Sequence, residues 1–156
     1  MSIEKVKKYF DSVGLSDRVI IPKESTATVE EAARVVGCLP AHIAKSISLL
    51  LNGGPVIVVM AGDAKVDNAK YRTRFGEKAS MIPGDRVEEF IGHGLGGVCP
   101  FVVKEGVKVY LDESLKRFEF VYAAGGSPNS VVKLTPPELE VHSGYLGWVD
   151  VCKGWE

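Results

Sequence analysis

A lysine at the start of a strongly apolar segment is the first residue whose position suggests chemistry. Lys45 lies between Ala44 and Ile47, where a short helical turn is predicted to meet a strand. An ammonium group among apolar side chains is costly unless it reaches water or meets an anion. Lys45 is therefore either a lysine whose stem packs while its ammonium reaches solvent, or a cation directed into a pocket. In a pocket it could hold a phosphate or polarise a carbonyl group.

A glycine-dense segment, 92–100, is the second candidate. It holds four glycines in nine residues, and its last part reads Gly96-Gly97-Val98-Cys99-Pro100. Such a segment can direct successive backbone amides toward one point, as an anion nest or an oxyanion hole does, or it can simply be a tight loop. No Lys-Ser or Lys-Thr pair ends it, so it is not a Walker loop. It follows a predicted helix, so it is not a dinucleotide fingerprint.

Two shorter turns are further candidates. Gly125, Gly126 and Ser127 follow a predicted strand, and they either reverse the chain or line the same pocket. Asp63 comes after Gly62 at the end of a predicted buried strand. A carboxylate there either borders a cleft or forms a turn.

Cys99 and His93 raise a second mechanism, because they lie six residues apart in the glycine-dense segment. A thiolate–imidazole pair would be the nucleophile of a hydrolase. The simpler interpretation is a small buried cysteine, and no third residue that would orient His93 can be identified. His42 and His142 are isolated, and no cluster has the spacing of metal ligands. We therefore expect no metal and no other cofactor.

The charge balance limits the classes of partner. The 19 basic and 20 acidic side chains give a formal net charge of −1, which excludes a strongly basic nucleic-acid coat or a polybasic membrane binder. Docking to a folded RNA through a local patch remains open. Basic residues cluster on and around one predicted short helix, which is either a solvated face or a phosphate-binding patch. They are Lys65, Lys70, Arg72, Arg74 and Lys78.

The composition is that of a soluble globular protein, with 46% apolar and 25% charged residues in 156. Even punctuation by glycine and proline predicts a single domain over 1–156. No apolar run approaches the roughly 20 residues of a membrane span, and the N-terminal segment has no secretory hydrophobic block. The cysteines are odd in number and far apart, at Cys38, Cys99 and Cys152. We expect a reduced, cytoplasmic location.

Helices and strands are mixed along the chain without regular alternation. The patterns predict an α+β fold in which a mixed β-sheet curls on itself, barrel-like, with helices packed outside. A hairpin is predicted at Asn52-Gly53, because such a turn needs positive φ angles. Capping boxes are predicted at Thr28 and Thr135. Helices are expected at 3–13, 29–36, 68–75, 85–91 and from 136, and strands at 18–22, 45–51, 55–60, 107–111, 117–123, 130–134 and 148–151.

Over about 19–151, the order and spacing of several strings resemble the YbaK/EbsC-like aminoacyl-tRNA deacylases. That family is related to the editing domain inserted in bacterial prolyl-tRNA synthetases. The matching strings are Ser25-Thr26-Ala27-Thr28-Val29-Glu30-Glu31-Ala32-Ala33, Ile43-Ala44-Lys45-Ser46, Gly53-Gly54-Pro55-Val56, Gly62-Asp63, Gly96-Gly97-Val98-Cys99-Pro100-Phe101, Asp112-Glu113-Ser114-Leu115 and Leu134-Thr135-Pro136.

The resemblance implies hydrolysis of the ester that joins a wrong amino acid to tRNA. It makes Lys45 the main functional side chain, holding a phosphate or the substrate carbonyl. The G-x-x-x-P loop, Gly96-Gly97-Val98-Cys99-Pro100, supplies main-chain groups at the ester and positions the attacking water. It also places substrate-binding groups at Ser46, Asp63, Gly125, Gly126 and Ser127.

The implied partner is the acceptor end of a mischarged tRNA, with prolyl-tRNA synthetase as a second partner. The implied form is a free-standing editing protein acting on tRNA-Pro that carries alanine, cysteine, serine or threonine. A pocket that accepts proline cannot strongly reject smaller amino acids, so a second hydrolytic sieve is useful. The sequence departs from the family at Cys99, where relatives often have serine or proline, and at Val102, where many have glycine. The alternative is a module that binds aminoacyl-adenosine or another small anion without hydrolysis.

Overall fold

A seven-stranded mixed sheet forms the centre of the computed structural model, which describes residues 2–156. The strand order is β1-β7-β6-β2-β3-β5-β8, and β4 pairs with β9 in a separate two-stranded sheet. Three neighbouring pairs (β2 with β6, β3 with β5, β5 with β8) are parallel, and the other pairs are antiparallel. The strands are β1 (Val19–Ile20), β2 (Ile43–Leu51), β3 (Gly54–Ala61), β4 (Lys65–Val66), β5 (Lys108–Asp112), β6 (Val121–Ala124), β7 (Val131–Leu134), β8 (Gly147–Val149) and β9 (Cys152–Lys153).

The β2–β3 hairpin is the middle of this sheet. Its turn takes positive φ at Asn52 (53°) and Gly53 (79°), as the sequence predicts. From Val56 to Ala61, β3 is at most 1% exposed, because both faces of this strand are covered. Burying each large side chain here contributes about 1.5–3 kcal/mol, so the hairpin is a rigid base for whatever β2 carries.

Five α-helices accompany the sheet, and their ends follow local side-chain chemistry. Asp67 accepts hydrogen bonds from the amides of Ala69 and Lys70, and Thr135 with Glu138 forms the predicted capping box. The capping box predicted at Thr28 is only half formed. The Thr28 hydroxyl accepts the Glu31 amide, but the Glu31 carboxylate accepts a hydrogen bond from the Ser25 hydroxyl and not from the Thr28 amide. The helices are α1 (Ser2–Ser12), α2 (Val29–Val36), α3 (Asn68–Phe75), α4 (Val87–Ile91) and α5 (Pro136–Ser143).

The predicted mixed sheet with helices around it is confirmed, and the order of its strands leaves the sheet open. One predicted strand is wrong in part: Glu113–Arg117 is a 3-10 helix, and β6 begins only at Val121. The Asp112 carboxylate accepts the Ser114 amide and turns the chain there. Within residues 2–156, no helix has both the length and the apolar character that a membrane span requires.

Candidate active site

A cavity of about 240 Å³ opens where two neighbouring strands separate. β6 pairs with β2 only at Ile43 and Ala44, so the rest of this edge of β2 has no β6 partner. Farther along, the 80–82 segment closes the edge, with Ile82 N–H donating to Ser48 O (3.1 Å). The cavity is therefore a gap in the pairing of the sheet. Its lining comes from the 26–29 segment, Ala32 of α2, β2, Met81, the 95–98 loop and the β6–β7 hairpin.

Lys45 and the glycine-dense loop lie on this same cavity, because Lys45, Gly96 and Val98 all line it. The Lys45 ammonium is half-buried and donates a long hydrogen bond (3.4 Å) to the carbonyl oxygen of Gly62. Within residues 2–156 it makes no ion pair. Burial lowers the pKa of Lys45, while the carboxylates of Asp63 and Glu30 act in the opposite direction. The result is a partly desolvated cation with hydrogen-bonding capacity to spare.

The loop is held close to the β6–β7 turn, and glycine is required for this contact. A Cβ atom on Gly97 would lie 2.5 Å from the backbone of Gly126 and Ser127. The Gly97 amide donates to the carbonyl of Gly94 (3.1 Å), whereas the amides of Gly96 and Val98 have no acceptor within residues 2–156. Two backbone donors beside the cavity are thus available to a ligand.

The remaining candidate residues fall into two groups. Ser46 lines the cavity, and its hydroxyl is buried without a partner in the described chain. The others lie behind the lining or beside it. Gly97, Cys99 and Pro100 are buried in the loop, and Gly125, Gly126 and Ser127 form the turn that supports it.

Asp63 forms a bidentate ion pair with Arg117, with N–O distances of 2.6 and 3.0 Å. These hydrogen bonds lower the pKa of Asp63, so the carboxylate stays ionised. Arg117 also donates to the carbonyls of Ser114 and Trp155. In this structure Asp63 therefore joins chain segments, while its charge acts on Lys45 from a distance.

The Cys99–His93 pair exists, but its geometry does not provide a nucleophile. Both side chains are fully buried, with Cys99 Sγ 3.5 Å from His93 Nε2. That nitrogen lies 2.6 Å from the carbonyl of Phe101, which can only accept, so Nε2 carries the proton and cannot take one from the thiol. Burial raises the pKa of Cys99 to about 12 and lowers the pKa of His93. Both groups are therefore neutral near pH 7.

Comparison with known proteins places this arrangement in a family. The model of the aminoacyl-tRNA editing domain matches residues 23–141. The chain belongs to this family. The editing domain is 47% identical over its whole length to the uncharacterized protein YwhH of Bacillus subtilis, which it covers completely. Its fold matches, at a TM-score of 0.86 and 29% identity, the crystal structure of a proposed trans-editing enzyme for prolyl-tRNA synthetase, with 98% of each chain covered.

A longer relative is the proline–tRNA ligase of Lysinibacillus sphaericus, 26% identical over 101 residues. The match covers 64% of the editing domain and 17% of the ligase. The editing domain thus corresponds to a small part of that enzyme, which is the relation that the sequence strings suggest.

Val102, where the resemblance leads us to expect glycine, adopts an unusual backbone conformation. Its φ is 50°, in the left-handed region that favours glycine and strains a β-branched residue. Such strain costs of the order of 1–3 kcal/mol and persists only where the surroundings enforce it. The preceding Phe101 is fully buried and packs its ring against Phe10 at 5.0 Å, which fixes the loop exit.

Sequence reasoning missed several cavity residues. Met81 and Leu95 stand at the cavity with 61% and 66% exposure, and Tyr122 of β6 forms another part of the lining. The sequence pointed to Met81 and Leu95 only because each is an apolar residue outside the predicted helices and strands. The position of Met81 depends on the pairing of the 80–82 segment with β2, which connects residues about 30 positions apart.

Cys99→Ala should leave hydrolysis of aminoacyl-tRNA within about twofold of the wild-type rate, because the thiol is neutral, buried and away from the cavity lining. Steady-state release of amino acid, measured with both proteins at equal concentration, checks this expectation. A loss of a hundredfold in Cys99→Ala with unchanged thermal stability would instead establish a thiol mechanism.

Proposed function

We propose that this editing domain hydrolyses the ester of mischarged aminoacyl-tRNA, acting in trans on tRNA-Pro that carries alanine, cysteine, serine or threonine. The observation that carries the proposal is the shared cavity, because Lys45, Gly96 and Val98 all line one space and the amides of Gly96 and Val98 have no acceptor within residues 2–156. The family membership and the proposed role of the structural neighbour support the same substrate class.

The reaction needs little beyond positioning and charge stabilisation. Water attacks the carbonyl carbon of the ester, and the carbonyl oxygen becomes negative. The bond to the ribose oxygen then breaks, that oxygen leaves with a proton, and the amino acid departs as the carboxylate. A hydroxyl of the substrate ribose can assist the proton movement. Preorganised donors aimed at the developing oxyanion are the largest contribution to such a reaction.

Lys45 is suited to the oxyanion because it is partly desolvated. A cation is worth more to a developing charge in such surroundings than in water. We assign the ammonium to the carbonyl oxygen, and the amides of Gly96 and Val98 to the same region of the ester.

The walls of the cavity fit small aminoacyl groups. Ala32, Ala44 and Ala123 contribute small side chains to the lining of this space of about 240 Å³. Hydrophobic pockets discriminate by only about 1–3 kcal/mol per methylene, so we expect such a space to accept several small aminoacyl groups.

A panel of charged tRNAs tests the function. Purified tRNA-Pro carrying alanine, cysteine, serine, threonine or proline is incubated with the protein, and release of the amino acid is followed. We expect release of at least one of the four mischarged residues, with correctly charged prolyl-tRNA as the control that survives longer. Saturable binding of charged tRNA with no release from any member would favour the binding module instead.

Treatment with EDTA should not change the activity. Within residues 2–156, no three histidine, cysteine or acidic side chains lie close enough together to hold a metal ion. The measurement compares the protein as purified with protein that has been incubated with EDTA and desalted, both in the same assay buffer. A large loss that added zinc or manganese restores would contradict the proposed chemistry.

A further inference from the structure

A surface of aromatic and basic side chains lies beside the cavity, and the proposed hydrolysis does not use it. We call it the β6 groove and define it by the residues that line it, which are His42, Arg117, Phe118, Glu119, Phe120, Tyr122 and Lys133. Phe118, Phe120 and Tyr122 all line this surface, although Tyr122 alone of the three belongs to β6. Lys133 lies directly opposite Tyr122 across the β6–β7 pair.

Phe120 is an aromatic residue that the core does not use. Its ring is half-buried and packs with neither of the two buried apolar clusters found in residues 2–156. Lys133 Nζ lies 4.5 Å from the centroid of this ring and 6.0 Å from that of Tyr122. Aromatic rings and basic side chains together are what proteins use to bind single-stranded nucleic acid, the ring for stacking a base and the cation for a phosphate.

Lys133 is also the cation of this surface that is available to a phosphate. Arg18, which approaches Phe120 at 5.9 Å, is held by Glu138, and Arg117 is held by Asp63. Within residues 2–156, Lys133 makes no ion pair. Glu119 is an exposed acidic residue on the groove and opposes this charge in part.

The groove is continuous with the candidate site, because Tyr122 lines both. A substrate whose aminoacyl group occupies the cavity therefore has its next part beside Tyr122. In an aminoacyl-tRNA that part is the unpaired 3′ end, which exposes base faces and phosphates together. Single-stranded RNA is recognised mainly by aromatic stacking combined with basic side chains.

We propose that the β6 groove binds the single-stranded 3′ end of tRNA, with a base against Phe120 and a phosphate on Lys133. The orientation of the RNA in this inference rests on the proposed function, because the end of the groove beside the cavity receives the aminoacylated terminus. The groove then selects RNA, whereas the cavity selects the amino acid.

A binding measurement tests the groove independently of hydrolysis. The probe is a 5′-fluorescein-labelled RNA hairpin that ends in single-stranded ACCA, titrated with protein and followed by anisotropy. Phe120→Ala and Lys133→Ala should each raise the Kd about tenfold, which is the effect expected for one stacked base or one phosphate contact. Lys133→Ala should also reduce the dependence of Kd on salt.

The control variants carry the same kinds of side chain elsewhere. Phe90 is half-buried with Arg86 over its ring at 4.7 Å, and Lys116 lies 4.6 Å from the ring of Trp148. Phe90→Ala and Lys116→Ala should bind the hairpin as the wild type does. Thermal melting of all four variants identifies any that fail to fold, and the surface substitution Lys133→Ala still decides the question if Phe120→Ala unfolds.

A kinetic comparison separates this inference from the proposed function. The ratio of kcat/KM for aminoacyl-tRNA to that for aminoacyl-adenosine should fall about tenfold in Phe120→Ala and Lys133→Ala. If the wild type and both groove variants bind the hairpin equally well, the proposed role of the groove in RNA binding is wrong, whether or not the protein hydrolyses esters. Absence of hydrolysis in the wild type together with weakened hairpin binding in the variants overturns the proposed function and leaves the groove established.

Discussion

Replacing Lys45 by alanine is expected to slow release of the amino acid from mischarged tRNA about 100- to 1,000-fold, the usual cost of removing one donor from an oxyanion site. Lys45 lines the cavity, and its half-buried ammonium makes no ion pair within residues 2–156, so the proposal assigns it to the substrate. The measurement is single-turnover release from alanyl-tRNA-Pro, because this separates the chemical step from substrate binding.

Two comparisons make the Lys45 result specific. Lys108 is an exposed lysine on β5, and Lys108→Ala should keep the wild-type rate. Lys45→Ala should not lower the melting temperature, because removing a partly desolvated charge relieves an unfavourable burial. A variant that is inactive and unfolded, or active at the wild-type rate, would contradict the assignment.

The substrate itself distinguishes the two interactions open to Lys45. Aminoacyl-adenosine has the ester but no phosphate. If the ammonium acts at the carbonyl oxygen, Lys45→Ala loses activity on aminoacyl-adenosine as severely as on tRNA. A loss confined to tRNA would assign the ammonium to a phosphate.

Gly97→Ala should have the second-largest effect, on both stability and turnover. The added Cβ would lie 2.5 Å from the Gly126–Ser127 backbone, and neither segment can give way as a flexible side chain would. Overpacking of this kind costs about 1–3 kcal/mol. If the loop moves away to relieve the contact, the amides of Gly96 and Val98 leave the ester, and we expect turnover to fall at least about tenfold.

The control for Gly97→Ala lies three residues away in the same loop. A Cβ on Gly94 would find its nearest neighbour, a flexible Glu88 side chain, at 3.7 Å. Gly94→Ala should therefore unfold in urea at the wild-type midpoint and retain its rate. Equal behaviour of the two variants would show that the contact of the loop with the β6–β7 turn does not position the site.

Local chemistry made much of the fold predictable from the sequence. The Asn52-Gly53 turn, the apolar β3 strand and the cap at Asp67 each depend on residues that are close in the chain. The break between the predicted strands at 107–111 and 117–123 is longer than expected, because it forms a 3-10 helix, Glu113–Arg117, that is capped by the buried carboxylate of Asp112. This carboxylate also accepts the amide of Val151, an interaction 39 residues away.

The candidate site was predictable in its residue types and not in its shape. Lys45 and the glycine-dense loop could be singled out because each is unusual for its surroundings. The cavity itself arises where β6 stops pairing with β2 after Ala44, and no local pattern encodes where two distant strands separate. The surroundings of Asp63 depend on a partner 54 residues along the chain, Arg117, for the same reason.

A crystal structure with a stable substrate analogue tests the account most directly. The analogue is adenosine with alanine joined to its 3′ position through an amide, which the protein cannot hydrolyse as it would the ester. We expect its carbonyl oxygen within hydrogen-bonding distance of Lys45 Nζ and of the Gly96 or Val98 amide, with the alanine methyl group in the cavity. An analogue bound with its carbonyl away from Lys45, or outside the cavity, would contradict the account.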